Sequence, residues 1–152
     1  MTPHMAPLRY DSSIPTNHVY LYNHHSSITE NAHTVIKKTA SAKAFFKEYP
    51  FIDRVFWRDL GVHMHSCMTN FTVHNSHRGM PFKVSTTRDA PISPNVIRGS
   101  TKRLYEMATT AQDVTFHLPM PCLKGSTMTF SEVVEIYSQL PDNVHVYMIS
   151  KG

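Results

Sequence analysis

The sequence predicts an α/β chain with a mixed sheet: a β-α-β-β-β-α core over residues 17 to 111, then a β-α-β extension over 112 to 152. Three observations carry this. A β-rich run, HVYLYNH, leads through a long helical stretch into a second β-rich run, FIDRVFWRD, which is the order of a βαβ unit. Two further apolar runs flank the turn-like NSHRG, as in a hairpin. Near the C-terminus, Thr129 and Glu132 stand at the spacing of a capping box, before the apolar run VVEIY.

Taken in order, residues 18 to 24 read as a buried strand. In ENAHTVIKKTASAKAFFKEYP, the residues Ala32, Val35, Ile36, Ala42, Phe45, Phe46 and Tyr49 share one broad helical face. Thr29 serves as N-cap and Pro50 as terminator. Residues 51 to 59 give the parallel partner strand. Met68 to His74 and Met80 to Thr87 form the hairpin, and RDAPISPN leads to a helix from Ser100 to Ala111 with Leu104, Met107 and Ala108 in its stripe. DVTFHLP, TFSEVVEIYSQLP and NVHVYMIS complete the chain as strand, helix and strand, with Met128 and Val133 as a hydrophobic staple. Residues 1 to 16, with Pro3, Pro7 and Pro15, read as an extended arm that a neighbour would order.

A length of 152 residues suits one domain, and 41% hydrophobic content is that of a chain that folds rather than one that stays disordered. No run approaches the roughly 20 apolar residues of a membrane helix, so no membrane insertion is expected. The net charge of +4 is unevenly spread. Arg78, Lys83, Arg88, Arg98, Lys102 and Arg103 face only Asp89 in the middle of the chain, while Glu106, Asp113, Glu132, Glu135 and Asp142 make the C-terminal third acidic. Such polarity suits a polyanion on one side and protein partners on the other. The six basic residues, with His74 and His77 at the hairpin tip, form a candidate RNA-binding set: cations hold phosphates, and rings stack on exposed bases.

GVHMHSCMTNFTVHNSHRG crowds four histidines and a cysteine together. In an extended strand His63, His65 and Cys67 would share a face, with His74, His77 or His24 as a further ligand, and imidazole and thiolate suit zinc or copper. The chain has neither a CxxC pair nor HExxH, and the trio precedes the predicted strand, so polar loop residues are the plainer reading. GxxxxGK[ST], GxGxxG and GxSxG are likewise missing, and no local signature selects a catalytic triad. The expectation is a non-enzyme with no cofactor and no small-molecule substrate.

HVYLYNHHSSITENAHTVIKK, AFFKEYP with IDRVFWRD, NFTVHNSHRGMPFKV and STKRLYEM together resemble the thioredoxin-like family shared by certain mitochondrial ribosomal proteins and an accessory subunit of respiratory complex I. The resemblance implies a thioredoxin-like core and a structural role in the mitochondrial ribosome, contacting rRNA and neighbouring subunits in the matrix or on the matrix side of the inner membrane. The alternatives are an accessory subunit of complex I, or a metal-binding protein using His63, His65 and Cys67. NHHSSITEN holds no cysteine where redox-active relatives carry CxxC, so thiol-disulfide exchange is not expected.

Overall fold

Alternation along a strand sends Val19 and Leu21 to one side and Tyr20 and Tyr22 to the other, and all four are buried. A strand buried on both faces belongs inside a sheet with cover on each side. The computed structural model describes residues 1–11, 17–28, 34–48, 71–73, 77–85 and 91–149. In it these side chains lie at the centre of one sheet. Its elements are β1 (Thr2–His4), β2 (His18–Ile28), β3 (Thr34–Lys38), α1 (Ala40–Glu48), β4 (Phe71–Val73), β5 (His77–Ser85), α2 (Pro94–Thr110), β6 (Thr115–Pro119), α3 (Phe130–Tyr137) and β7 (Val144–Tyr147).

The strand order is β1-β7-β6-β2-β5-β4, with β3 paired to β2 off this path. Neighbours from β1 through β5 are parallel, while β4 on β5 and β3 on β2 are antiparallel. The α/β class with a mixed sheet is therefore present, but the thioredoxin-like arrangement is not. Residues 115–119 and 144–147, assigned from the sequence to an extension, supply two of the parallel strands, and β6 lies directly beside β2. A core of residues 17 to 111 alone would lack that side of the sheet.

The long first helix is also corrected. Residues 34–38 are a strand, paired from His24↔Lys38 to Ile28↔Thr34, and the helix covers only 40–48. Thr34, Val35 and Ile36 are consecutive β-branched residues, which lose rotamer freedom in a helix and fit a pleated surface. The helix is capped by Thr39, whose Oγ1 accepts a 3.1 Å bond from the Ala42 N–H. Thr29 and residues 49–70, including the expected strand at 51–59, lie outside the described residues.

The hairpin pairs as Phe71↔Gly79, Thr72↔Arg78 and Val73↔His77. The second helix starts before Ser100, at Pro94, because proline at the first helical position loses no intrahelical bond. At the start of α3 the Thr129 side chain accepts from the Glu132 N–H, and Glu132 accepts in return from the Thr129 N–H, both at 3.2 Å. The N-terminal segment finds its neighbour inside the chain: β1 pairs with β7 from Thr2↔His145 to His4↔Tyr147.

The two faces of the sheet differ. On one, Leu21, Met80, Phe82, Val84, Leu118 and Val146 pack with Ile97, Leu104 and Ala108 of α2 and Val133, Ile136 and Tyr137 of α3. On the other, Tyr20 and Tyr22 meet Tyr10 of the N-terminal segment and Phe45 and Phe46 of α1, with ring centroids 4.8 to 5.7 Å apart.

Candidate functional site

The chain leaves β2 to make its next parallel strand, β5, on one side, and leaves β6 to make β7 on the other. Beyond the carboxyl end of β6 the neighbouring connections therefore diverge, and a crevice opens there, the usual ligand position in open α/β sheets. It is lined by Pro7 and Leu8 from the N-terminal segment, Thr39 and Ser41 at the start of α1, and Met120 and Cys122 after β6, among others. Its enclosed volume is about 70 Å³. One water needs about 10–15 Å³ by this measure, so the space admits a small polar fragment, or one end of a larger ligand.

Asn23 organises this crevice. The same alternation that makes Val19 and Leu21 apolar places a buried amide at 23. Its Nδ2 donates to the Met120 carbonyl at 3.0 Å, joining the strands where the β2–β6 ladder has ended. Its backbone N–H donates to Ser41 Oγ at 2.8 Å, and its carbonyl accepts from Thr39 Oγ1 at 2.8 Å, so it also positions the first turn of α1. The side-chain Oδ1 is buried with no hydrogen-bond partner among the described residues. A buried acceptor left unpaired costs free energy comparable to a lost hydrogen bond, so a donor from a ligand would relieve it. The first N–H groups of α1, also at the crevice, lack intrahelical acceptors and carry the positive end of the helix dipole.

Next to this crevice, His24 is buried and pairs in register with Lys83. Burial, with Lys83 and then His25 adding to it, pushes the His24 imidazole down to about 3, so it is neutral at pH 7.

The basic residues singled out from the sequence are described in part. Arg98 and Lys102 are exposed beside Tyr105 in a shallow groove between α2 and α3, and Arg103 is exposed on the same helix. Lys83 alternates with Phe82 and Val84, which face α2, so its side chain belongs to the opposite side of the sheet. His77 and Arg78 occur in β5; His74, Arg88, His63, His65 and Cys67 lie outside the described residues.

A different set of histidines does converge. His4 Nε2 and His145 Nδ1 are 2.7 Å apart, His18 Nδ1 and His117 Nε2 are 2.8 Å apart, and His117 Nδ1 is 2.9 Å from the Tyr147 hydroxyl. These rings come from β1, β7, β6 and β2, and nothing local in the sequence links them. They are hydrogen-bonded pairs: ligands at 2.0–2.1 Å from a tetrahedral zinc would hold their nitrogens roughly 3.3 Å apart. Among the described residues no group of three or more His, Cys, Asp or Glu is placed to hold a metal.

No family model matches the chain, and no curated protein matches it. Solved structures do. A macrodomain protein from Streptomyces coelicolor aligns over 93% of each chain at 15% identity and a TM-score of 0.60. The macrodomain of Thermus aquaticus DarG aligns over 95% of this chain and 97% of that one at 11% identity and 0.62. The macrodomain of Mycobacterium tuberculosis DarG aligns over 95% and 99% at 15% identity and 0.63. This overturns the thioredoxin-like resemblance and the readings drawn from it. The architectural role in a mitochondrial ribosome with rRNA as partner, the complex I alternative and the metal-binding alternative are withdrawn. So are the expectations of no catalysis and no small-molecule substrate, which a crevice at the sheet's switch point also opposes. In fold, over nearly its whole length, the chain is similar to macrodomains.

Proposed function

We propose that the chain recognises an ADP-ribosyl group, the ligand that its macrodomain-like fold suggests, in the crevice between β2, β6 and the start of α1. The observation that carries this reading is the unpartnered Oδ1 of Asn23, buried at the crevice. A ribose hydroxyl supplies the donor that this acceptor lacks. The diphosphate then lies towards the first turn of α1, where backbone N–H groups and the helix dipole favour negative charge. Pro7, Leu8, Pro119 and Met120 give the ribose its apolar walls. The enclosed space is too small for a whole nucleotide, so the rest of the ligand extends outward from it.

Recognition is the part of this reading that the Asn23 acceptor carries. Calorimetric titration with ADP-ribose tests it. Saturable binding is expected, weakened about tenfold to a hundredfold in Asn23→Ala, the loss of roughly one to two hydrogen bonds. A melting curve for the variant separates this from unfolding. No binding to the wild type at millimolar ADP-ribose would sink the reading. The same protein, incubated with an ADP-ribosylated peptide, shows by release of free ADP-ribose whether recognition leads to hydrolysis.

A further inference from the structure

The N-terminal segment crosses the ring-rich face of the sheet and is fastened at two points. At one end β1 pairs with β7, with the Met148 N–H donating to the His4 carbonyl at 2.8 Å and the His4 ring bonded to His145. At the other, the Tyr10 hydroxyl donates to the Leu21 carbonyl at 2.6 Å, and its ring packs edge-on to Tyr20 and Phe45. Between these points lie Pro7 and Leu8, which form one wall of the crevice. The wall is therefore held in place by the two fastenings.

The β1 fastening is unusual in its chemistry. β1 has three residues, and an edge strand that short has few ladder bonds. Besides the Thr2 hydroxyl, which donates to the Asp142 carbonyl at 2.7 Å, its side-chain attachment is His4, stacked on both His145 and Tyr147, with centroids 4.9 and 4.5 Å away. The row continues from β7 to His117 on β6, and from there to His18 and Tyr20 on β2. Among the described residues no carboxylate is hydrogen-bonded to any of these four imidazoles. The acidic group at this edge, Asp142, is fully exposed and 3.9 Å from the Met1 amino nitrogen. A pair of imidazoles sharing one hydrogen bond accommodates a single added proton, as an N–H⁺···N bond. A second proton leaves two donors and two like charges face to face.

We propose that this row of imidazoles is a pH-operated clasp on the N-terminal segment, closed at neutral pH and released by acid, and that its release removes one wall of the crevice. Burial pushes the His145, His18 and His117 imidazoles below the ordinary value of 6.5, and neighbouring imidazoles add to it at His145 and His117. The sign follows: the closed state is fully favoured above about 6.5 and loses that advantage as the pH falls below it. The consequence for ligand rests on the ADP-ribose reading; the movement of the segment does not.

Amide hydrogen exchange of the full chain at pH 7.5 and 5.0, corrected for the intrinsic rate, reads the clasp directly. Protection of the Thr2 and His4 amides and of their β7 partners should fall at least tenfold in the wild type, with β5 and α2 remaining the better protected. His4→Phe keeps the ring stack without ring nitrogens, and His145→Gln keeps a hydrogen-bonding amide. In both, protection should change less than twofold between the two pH values. Unchanged protection in the wild type, an equal loss in both variants, or exchange of β1 and β7 at the same rate as β5 and α2 would each overturn the clasp. ADP-ribose titrations at the same two pH values should show about tenfold weaker binding at pH 5.0 in the wild type only. Exchange as expected with ADP-ribose bound at neither pH would support the clasp and overturn the ligand reading instead.

Discussion

The two faces of one sheet are built from the same strands yet held by different physics. Under α2 and α3, the side chains of β2, β5, β6 and β7 are apolar up to the lone amide of Asn23, with Leu21, Met80, Phe82 and Leu118 at 0% exposure. On the opposite face the intervening residues are Tyr20, His117, His145 and Tyr147, joined by ring contacts and nitrogen-centred hydrogen bonds. Volume decides the stability of the first face. Proton inventory decides it on the second, since each neutral imidazole has one donor and one acceptor to place.

The largest effect expected from breaking this contrast is on the hydrocarbon face. Phe82→Ala should cost about 3–5 kcal/mol, as other buried phenylalanine truncations do, and by nearly the same amount at pH 7 and pH 5. Urea unfolding at both pH values checks it, and a loss that changes strongly with pH would show that the faces are coupled rather than separate.

The ring face should respond to pH itself. His117 is driven down to about 3, by burial first and then by the nearby His18, His145 and His4. Because its folded value lies below its unfolded one, its contribution is fully present above about 6.5 and is lost as the pH falls towards 3. Between pH 7 and pH 5 that loss is about 2 kcal/mol, and buried His24, driven to the same value, adds a similar amount. In His117→Phe the stability curve should flatten by its share. An identical pH dependence in wild type and variant would remove His117 from the explanation.

A smaller effect sharpens the comparison from the other side. Tyr137 is fully buried within the hydrocarbon face, its hydroxyl lacks a partner among the described residues, and its ring meets Phe82 edge-on at 5.8 Å. Burial raises the phenol well above its usual range. Tyr137→Phe should therefore stabilise the protein by about 1 kcal/mol, the desolvation cost of one unpaired hydroxyl. A destabilised variant would mean that the hydroxyl has found a partner on this face.

How legible these features were depended on how far apart their parts lie in the chain. The capping box of Thr129 and Glu132 was readable because the reciprocal bonds span three residues. The hairpin of β4 and β5 was readable for a similar reason. Residues 34–38 misled because two local signals conflicted: an apolar stripe at helical spacing and a β-branched run, decided by pairing with β2. Asn23 carried a signal that went unread, a lone amide in the alternation of Val19 and Leu21, where a polar side chain on a buried face needs a reason. Of the four histidines clustered at 63 to 77, only His77 falls among the described residues. The histidines that do meet are separated by 99 and 141 positions.

By itself the sequence determined the α/β class, the start of β2, the hairpin and the capped final helix, because each follows from periodicity or hydrogen bonding within a few residues. Only the tertiary structure decided that β6 lies beside β2, that Asn23 bridges to Met120 at a crevice, and that four distant imidazoles form one row. Those relations depend on which buried surfaces pack together across the whole chain, and no local pattern of residues encodes that choice.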